Sequence, residues 1–283
     1  MRDLKGRTGV VTGAGSGIGR ALALALAREG VNLALLDIDA SALPALRDEG
    51  AALGVEAHAF VLDVSDRAAV RATAAEVARA CGDVDILCNN AGVGYRGTSL
   101  DETPDEIFDW LFGVNVFGIF NVNKAFVPLI KRHGRGGHTV ITGSISGLHL
   151  MAGRRNGLYT ATKMAVVGLA ESLRETLEPD GIGVSVLCPG NVATNAPLAG
   201  RSRPARFGGP FEREGSTQPR VGMDPADIGR IVIRAIHDND FYVFPHPSDR
   251  VYFGRRVQAM LDGFDRWERT LPELGIDPAQ PAL

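Results

Sequence analysis

The sequence predicts an α/β fold in which a doubly wound parallel sheet carries helices on both faces. Three observations point to it. Strand-like and helix-like segments alternate from the first residues to about 245, the strand-like runs are nearly continuously apolar, and a glycine-rich turn joins the first strand to the first helix. Continuous apolar runs mark strands covered on both faces. Strands separated by helices of about 10–15 residues imply right-handed βαβ units.

In order, Thr8–Thr12 is a short β-rich run, and Ile18–Arg28, rich in Ala and Leu, is the first helix. Val31–Leu36 is the second strand, and Ser41–Leu53 a helix with Pro44 tolerated near its first turn. Ala57–Leu62 and Val84–Cys88 repeat the strand signal around the Ala-rich helix Asp66–Cys81. Pro104–Arg132 reads as a long helix interrupted by Gly113, Gly118 and Pro128. Val140–Thr142, Leu158–Leu177 and Val184–Leu187 give strand, helix and strand. Asp224-Pro225-Ala226-Asp227 starts a helix to about Ile236, with an Asp cap and Pro in the first position. Phe241–Phe244 is the seventh strand, and Asp249–Thr270 is helical. No linker or internal repeat divides the chain. One domain over 1–283 is therefore expected, with 195–222 as a substrate lid and 245–283 as a C-terminal extension.

Composition narrows the class of function. The chain of 283 residues is 45% hydrophobic and 22% charged, as in a globular protein with a sizeable core. Thirty Lys and Arg against 33 Asp and Glu give a net charge of −3, so no global field gathers nucleic acid or anionic membrane. The start, Met1 to Arg7, lacks the apolar stretch of a signal peptide. No apolar run is expected to approach the roughly 20 residues that span a bilayer. Cys81, Cys88 and Cys188 are odd in number and not spaced for a metal, which fits reduced thiols in the cytoplasm. Thirty-five glycines against four Tyr and two Trp call for turns and close backbone approaches, and so for a search for phosphate loops.

Thr12-Gly13-Ala14-Gly15-Ser16-Gly17-Ile18-Gly19 lies between the first strand and first helix. Glycines there let the backbone approach a pyrophosphate, whose charge meets the N–H groups and dipole of the helix start. The spelling is Gly-x-x-x-Gly-x-Gly rather than GxGxxG. Asp37 closes the second strand 18 residues after Gly19, where a carboxylate can accept from an adenosine ribose. Tyr159 and Lys163, four apart in a helix, share a face, and a cation held near a phenol favours the phenolate, a base. Ser144 follows the Val140–Thr142 strand, and ligands in parallel sheets bind beyond the carboxyl ends of strands.

Together with Asn89-Asn90-Ala91-Gly92, Asn115 and Pro189-Gly190-Asn191-Val192-Ala193-Thr194, these motifs appear in the order of the short-chain dehydrogenase/reductase family, which the chain resembles over roughly residues 5–195. The resemblance implies a Rossmann-type oxidoreductase interconverting a secondary alcohol and a ketone. It makes Tyr159 the acid/base, has Lys163 lower its pKa and bind the nicotinamide ribose, and has Ser144 orient the substrate oxygen. Asn115 would hold a water linking Lys163 to solvent. Asp63 and Val64 would meet adenine, Asn90 and Gly92 border the cofactor, and Val192 and Thr194 hold the carboxamide and pyrophosphate. Ser146, 13 before Tyr159, has the commoner spacing; Ser144 is preferred because it lies three before Gly147.

Asp37, with no cation at Ser16, favours NAD over NADP. Alternatives are an NADPH-dependent carbonyl reductase and a non-catalytic dinucleotide-binding sensor; the intact Ser144, Tyr159, Lys163 and Asn115 set opposes the latter. Family members usually associate through the long helix and the Tyr159 helix, so a homotetramer is expected, or else a dimer. Phe108, Trp110, Phe112, Phe117 and Phe120 read as core or subunit interface, His133 and His138 as solvated, and Arg201, Arg203 and Arg206 as an exposed lid face. Leu150, Met151, Leu198 and Phe207 are candidate walls of an apolar pocket suited to a bulky aromatic or alicyclic alcohol. The wording of 203–208 and 241–245 is also similar to relatives that oxidise benzylic alcohols of lignin-derived aryl ethers.

Overall fold

The computed structural model describes residues 1, 3–151, 153, 155–212 and 221–279. Among the described residues the strands are β1 (Thr8–Thr12), β2 (Asn32–Asp37), β3 (Ala57–Val61), β4 (Ile86–Asn89), β5 (Gly137–Thr142), β6 (Ile182–Leu187) and β7 (Tyr242–Val243). They form one sheet in the order β3-β2-β1-β4-β5-β6-β7, and every pairing is parallel. The chain builds outward from β1 to β3, then crosses to β4 and builds the other way. That reversal leaves a crevice beyond the carboxyl ends of β1 and β4, the usual ligand site of such sheets.

Neighbouring residues of each central strand point to opposite faces. Val10, Leu36, Leu87, Ile141 and Val186 enter one core, covered by α3 (Arg67–Cys81), α4 (Asp105–Phe112), α5 (Ile119–Arg132) and α6 (Gly157–Leu177). Val11, Leu35, Ile86, Val140 and Leu187 enter the other, covered by α1 (Gly17–Arg28), α2 (Leu43–Ala52) and α7 (Pro225–Asp238). α1 and α7 meet at Gly229, where a Cβ would stand 2.8 Å from the Ala21 carbonyl oxygen. Asp66 caps α3 by accepting from the Ala68 and Ala69 N–H groups, and Asp224 caps α7 through Ala226.

Several expectations need correction. β3 is not covered on both faces: it is the sheet edge, and Val61 is 61% exposed. Its apolar run does not reveal that, among the described residues, β2 is its one strand neighbour. The long helix is continuous from 105 to 132, but residues Gly113–Gly118 form a π-helical turn. Its glycines admit close neighbours rather than break the helix. A Cβ at Gly118 would stand 2.7 Å from Val64 Cγ2, and one at Gly113 would stand 2.8 Å from Phe207 Cζ. By length and composition this helix could cross a membrane, contrary to the expectation that no segment approaches such a span. Trp110, Leu111, Ile119, Val122, Phe126 and Ile130 are nevertheless buried in the protein core. Phe108, Phe117 and Phe120 remain exposed on its outer side.

His133 and His138 are not solvated. β5 begins at Gly137, earlier than expected, so His138 is a buried strand residue facing Ser185 Oγ at 2.8 Å. Burial pushes its pKa down to about 3. The His133 ring packs with Nε2 2.8 Å from the Val84 carbonyl oxygen.

The chain divides into two compact units, Met1–Pro245 and His246–Leu283. The first holds the whole sheet. The second begins at the segment expected as an extension and consists, where described, of a short turn and α8 (Arg250–Glu273).

Candidate active site

At the glycine turn, Gly13 and Gly17 have φ of +64° and +53°, a region that favours glycine. Gly19 meets a different constraint: a Cβ there would collide with the Gly13 carbonyl and come 2.6 Å from Asn90 Nδ2. Ser16 is extended at the start of α1 and its side chain makes no cap hydrogen bond, while Ile18 packs on the core below. Asp37 Oδ2 accepts from the Gly15 N–H at 2.7 Å and Oδ1 from the Asp39 N–H at 2.8 Å. Its pKa is raised because burial outweighs those bonds. Arg20, the nearby cation, is paired with Glu49 at 2.5 Å.

Asn90 is a brace between strand ends. Its Nδ2 donates to the Thr12 carbonyl at 3.0 Å and its Oδ1 accepts from Thr142 Oγ1 at 3.0 Å. Thr12 Oγ1 in turn accepts from the Asn90 and Ala91 N–H groups at 2.9 and 3.0 Å. These bonds fix the floor of the crevice. Asn115 sits in the π turn, where it clamps the chain after β4. Its Oδ1 accepts from the Val93 N–H at 2.8 Å, and its Nδ2 donates to the Val93 carbonyl at 2.9 Å and to Thr162 Oγ1 at 3.1 Å. A Cβ at Gly92 would come within 3.3 Å of Asn115 Oδ1 and 3.4 Å of Lys163 Nζ, so glycine keeps that gap free of side-chain atoms.

Ser144, Tyr159 and Lys163 converge beyond β5. Ser144 Oγ accepts from the Ser146 N–H at 3.1 Å, and the Ser144 hydroxyl lies near enough to Tyr159 to favour its phenolate. Ser146 thus positions Ser144 through its backbone, and it is Ser144 that meets Tyr159. Gly147 lets this turn rest on α6, since a Cβ there would stand 2.6 Å from the Lys163 carbonyl oxygen. Lys163 is buried and its Nζ donates to the Thr142 carbonyl at 2.9 Å; burial pushes its pKa down to about 8. Burial pushes the Tyr159 phenol above its ordinary value, and the Ser144 hydroxyl opposes that. The lowering by Lys163 that the family resemblance implies is not what dominates here: burial is the largest influence on the phenol, and the ammonium donates to Thr142. Thr12, Thr142 and Thr162 were not singled out by sequence. Two of them end β1 and β5, the positions where the topology rule places ligands.

The expected adenine end is also engaged. Asp63 Oδ1 accepts from the Ser65 N–H and Oγ at 2.9 and 2.6 Å, and Oδ2 accepts from Arg206 at 2.5 Å. Arg206 also donates to Ser65 Oγ at 2.5 Å. Val64 is buried, with its carbonyl accepting from Asn121 Nδ2 at 3.2 Å. Arg206 is therefore no free lid cation. Arg203 donates to the Gly209 carbonyl at 2.6 Å and lies 4.4 Å from the Phe211 ring centroid, and Arg201 pairs with Glu212 at 2.9 Å. The described part of 195–222 contains two 3₁₀ turns, Ala196–Ser202 and Ala205–Phe207; residues 213–220 of the expected lid lie outside the described residues. Its ends are pinned by the parallel bridge Val192↔Met223. Thr194 sits against the glycine turn, its Cβ 3.0 Å from where a Gly17 Cβ would lie. Phe207 packs into the notch over Gly113 and Leu150 is exposed, so of the expected walls neither stands alone in the crevice. Tyr95, Trp110 and Phe211 form an aromatic group, with Phe211 6.4 Å from Tyr95 and 5.7 Å from Trp110 between centroids.

The model of the short chain dehydrogenase family matches residues 7–203. The chain is a short-chain dehydrogenase/reductase. It is 34% identical over 270 residues to the C alpha-dehydrogenase of Sphingobium sp. strain SYK-6, covering 93% of this chain and 88% of that protein. It is 36% identical over 279 residues to the 1-deoxy-11-beta-hydroxypentalenate dehydrogenase of Streptomyces exfoliatus, covering 98% and 93%. A crystal structure of a short-chain dehydrogenase/reductase from Burkholderia phymatum in complex with NAD superposes with a TM-score of 0.82, at 33% identity and full coverage of both chains. This short-chain dehydrogenase/reductase is accordingly an alcohol/ketone oxidoreductase with a nicotinamide dinucleotide cofactor.

The residues present fit such a cofactor. The Ser16 side chain does not cap α1, so the first N–H groups of the helix can serve an external acceptor such as pyrophosphate. Asp37 stands at the end of β2 beside that turn, with its two oxygens each taking only one backbone N–H in the bonds described above.

Proposed function

We propose that this enzyme is an NAD-preferring dehydrogenase of bulky secondary alcohols, aromatic or alicyclic. The observation that carries it is the placing of the Ser144 and Tyr159 hydroxyls beside a buried lysine beyond the carboxyl end of β5. In oxidation Tyr159 takes the alcohol proton and Ser144 donates a hydrogen bond to the developing alkoxide. A nicotinamide cofactor held by the residues named below would supply the hydride acceptor for oxidation and the hydride donor for reduction. Lys163 holds the strand end at Thr142 and stands beside Tyr159, its Nζ 5.9 Å from the ring centroid. Asn115 fixes Val93 along the crevice wall. Gly13, Ser16, Gly17, Ile18 and Gly19 would receive the pyrophosphate; Asp63 and Val64 the adenine; Asn90 and Gly92 the middle of the cofactor; Val192 and Thr194 its carboxamide end. An adenine contact at Asp63 would share that carboxylate with Arg206. The half-buried Tyr95 and Phe211 rings, 6.4 Å apart, support a bulky apolar substrate, as does the relative named for dehydrogenation of a hydroxypentalenate.

Ser144→Ala is expected to lower kcat by roughly 10²-fold, the usual loss for one oxyanion donor, and Ser146→Ala far less, because its contribution to Ser144 is a backbone N–H. Steady-state rates for the two variants decide this, and a larger loss at Ser146 would reverse the assignment. Since the Tyr159 pKa is raised above the ordinary phenol value, oxidation, which needs the phenolate, should keep accelerating as pH rises through the alkaline range, while reduction, which needs the phenol, should hold its rate there. A pH–rate profile for oxidation that is flat across the alkaline range would contradict that. The same direction supports the second reading, a reductase, because a protonated phenol near neutral pH is ready to donate.

NAD preference rests on Asp37, with Asp39 nearby and Arg20 drawn off to Glu49: carboxylates at the ribose end repel a 2′-phosphate. Asp37→Asn removes the charge and keeps an acceptor for Gly15. It is expected to narrow the NAD/NADP ratio of kcat/KM by about tenfold, a change of about 1.4 kcal/mol. Equal efficiency with both cofactors in the unmodified enzyme would refute the preference. The exposed Phe108, Phe117 and Phe120 support association through α4 and α5 into a homotetramer or a dimer, and the free cysteines support a cytoplasmic setting.

A further inference from the structure

The second unit carries a pattern that alcohol oxidation does not use. Phe253, Val257, Met260, Phe264, Trp267, Leu271 and Leu274 follow one another at alternating spacings of four and three, the heptad seam of a coiled coil. Within α8 no residue is buried; Phe264 is 73% and Trp267 54% exposed. Gly254 and Gly263 lie inside this helix, and nothing stands within 4 Å of where their Cβ atoms would be. Each interior glycine weakens a helix relative to alanine. A helix with these glycines and no buried residue depends on a packing partner.

Charge says which partner. Residues 250–261 contain Arg250, Arg255 and Arg256 and no acid, whereas 262–273 contain Asp262, Asp265, Glu268 and Glu273 against Arg266 and Arg269. The two halves have opposite net charge, so the helix complements itself when reversed. A narrow seam fits another helix, whereas a bilayer surface asks for a broad apolar face with basic flanks.

We propose that α8 pairs antiparallel with α8 of a second copy of this chain, forming an interface separate from the one expected at α4 and α5. An alignment centred on Asp262 sets Phe264 against the second copy's Met260, Trp267 against its Val257 and Leu271 against its Phe253. The basic half of each helix then faces the acidic half of the other, and the glycines permit close approach.

Full-length Val257→Cys and Trp267→Cys chains, co-expressed, exposed to a mild oxidant and run on a non-reducing denaturing gel, test this. The expected result is a shift to twice the chain mass in the mixture, absent from either variant alone and from the unmodified chain. Phe253→Cys with Leu271→Cys repeats the test if a variant of the first pair folds poorly. Self-linking of Val257→Cys alone would mean parallel pairing, and no linking in either mixture would mean that no second copy covers the seam. Both outcomes overturn the proposal.

Discussion

Tyr159→Phe is expected to cut turnover by roughly 10²–10⁴-fold, the scale of a lost general acid/base, while dinucleotide binding stays unchanged. The substitution keeps the ring, which packs near Gly94, where a Cβ would be 3.9 Å from Tyr159 Cε2. It removes only the hydroxyl that meets Ser144. Ser144 keeps its bond from the Ser146 N–H, so the turn beyond β5 should hold its shape. Absorbance of the reduced cofactor measures the first effect and calorimetric titration with NAD the second. Retention of most activity would remove Tyr159 from the proton-transfer role.

Lys163→Met should have an effect as large and of two signs: turnover falls sharply, yet the folded state becomes more stable at neutral pH. The lysine has a folded pKa of about 8 against an ordinary 10.5. Below pH 8 the ammonium is charged in both states, and the folded chain bears the full desolvation penalty. At about 1.4 kcal/mol per pK unit this is about 3 kcal/mol. As pH rises from 8 towards 10.5 the folded chain sheds the proton first, and the penalty fades. Methionine removes the charge but also the bond to the Thr142 carbonyl, worth about 1 kcal/mol. A net gain of about 2 kcal/mol is expected at pH 7, turning into a loss of about 1 kcal/mol above pH 10.5, where only the missing hydrogen bond counts. Thermal unfolding at both pH values checks this, and a lower Tm for the variant at pH 7 would mean that the buried ammonium is well compensated.

What sequence revealed and what it did not follow from the range of each interaction. The glycine turn, Asp37 and the Tyr159/Lys163 pair were legible because their chemistry is set by spacing within one βα unit or one helix turn. The sheet was legible because apolar runs and helical stretches alternate. Which strand becomes an edge was not, since β3 is as apolar as its neighbours. His138 was misplaced because the strand begins three residues earlier than its apolar run. The Arg206–Asp63 pair joins residues 143 apart and depends on how the loop after β6 lies across the β3–α3 turn, which no local pattern encodes. Asn90 and Asn115 were found as motif residues, but their bonds to Thr12, Thr142, Val93 and Thr162 emerge only when β1, β4, β5 and α6 come together.

The most direct test is cofactor turnover with the purified enzyme. Secondary alcohols of aromatic, alicyclic, short aliphatic and sugar type are offered with NAD and with NADP, and the absorbance of the reduced nicotinamide is followed. Faster NAD reduction with the aromatic or alicyclic alcohols than with the aliphatic alcohols or sugars is the predicted result. A clear preference for sugars or short aliphatic alcohols would contradict the substrate reading. Dinucleotide binding without turnover of any alcohol, or of the matching ketones with reduced cofactor, would contradict the account of Ser144, Tyr159 and Lys163 altogether.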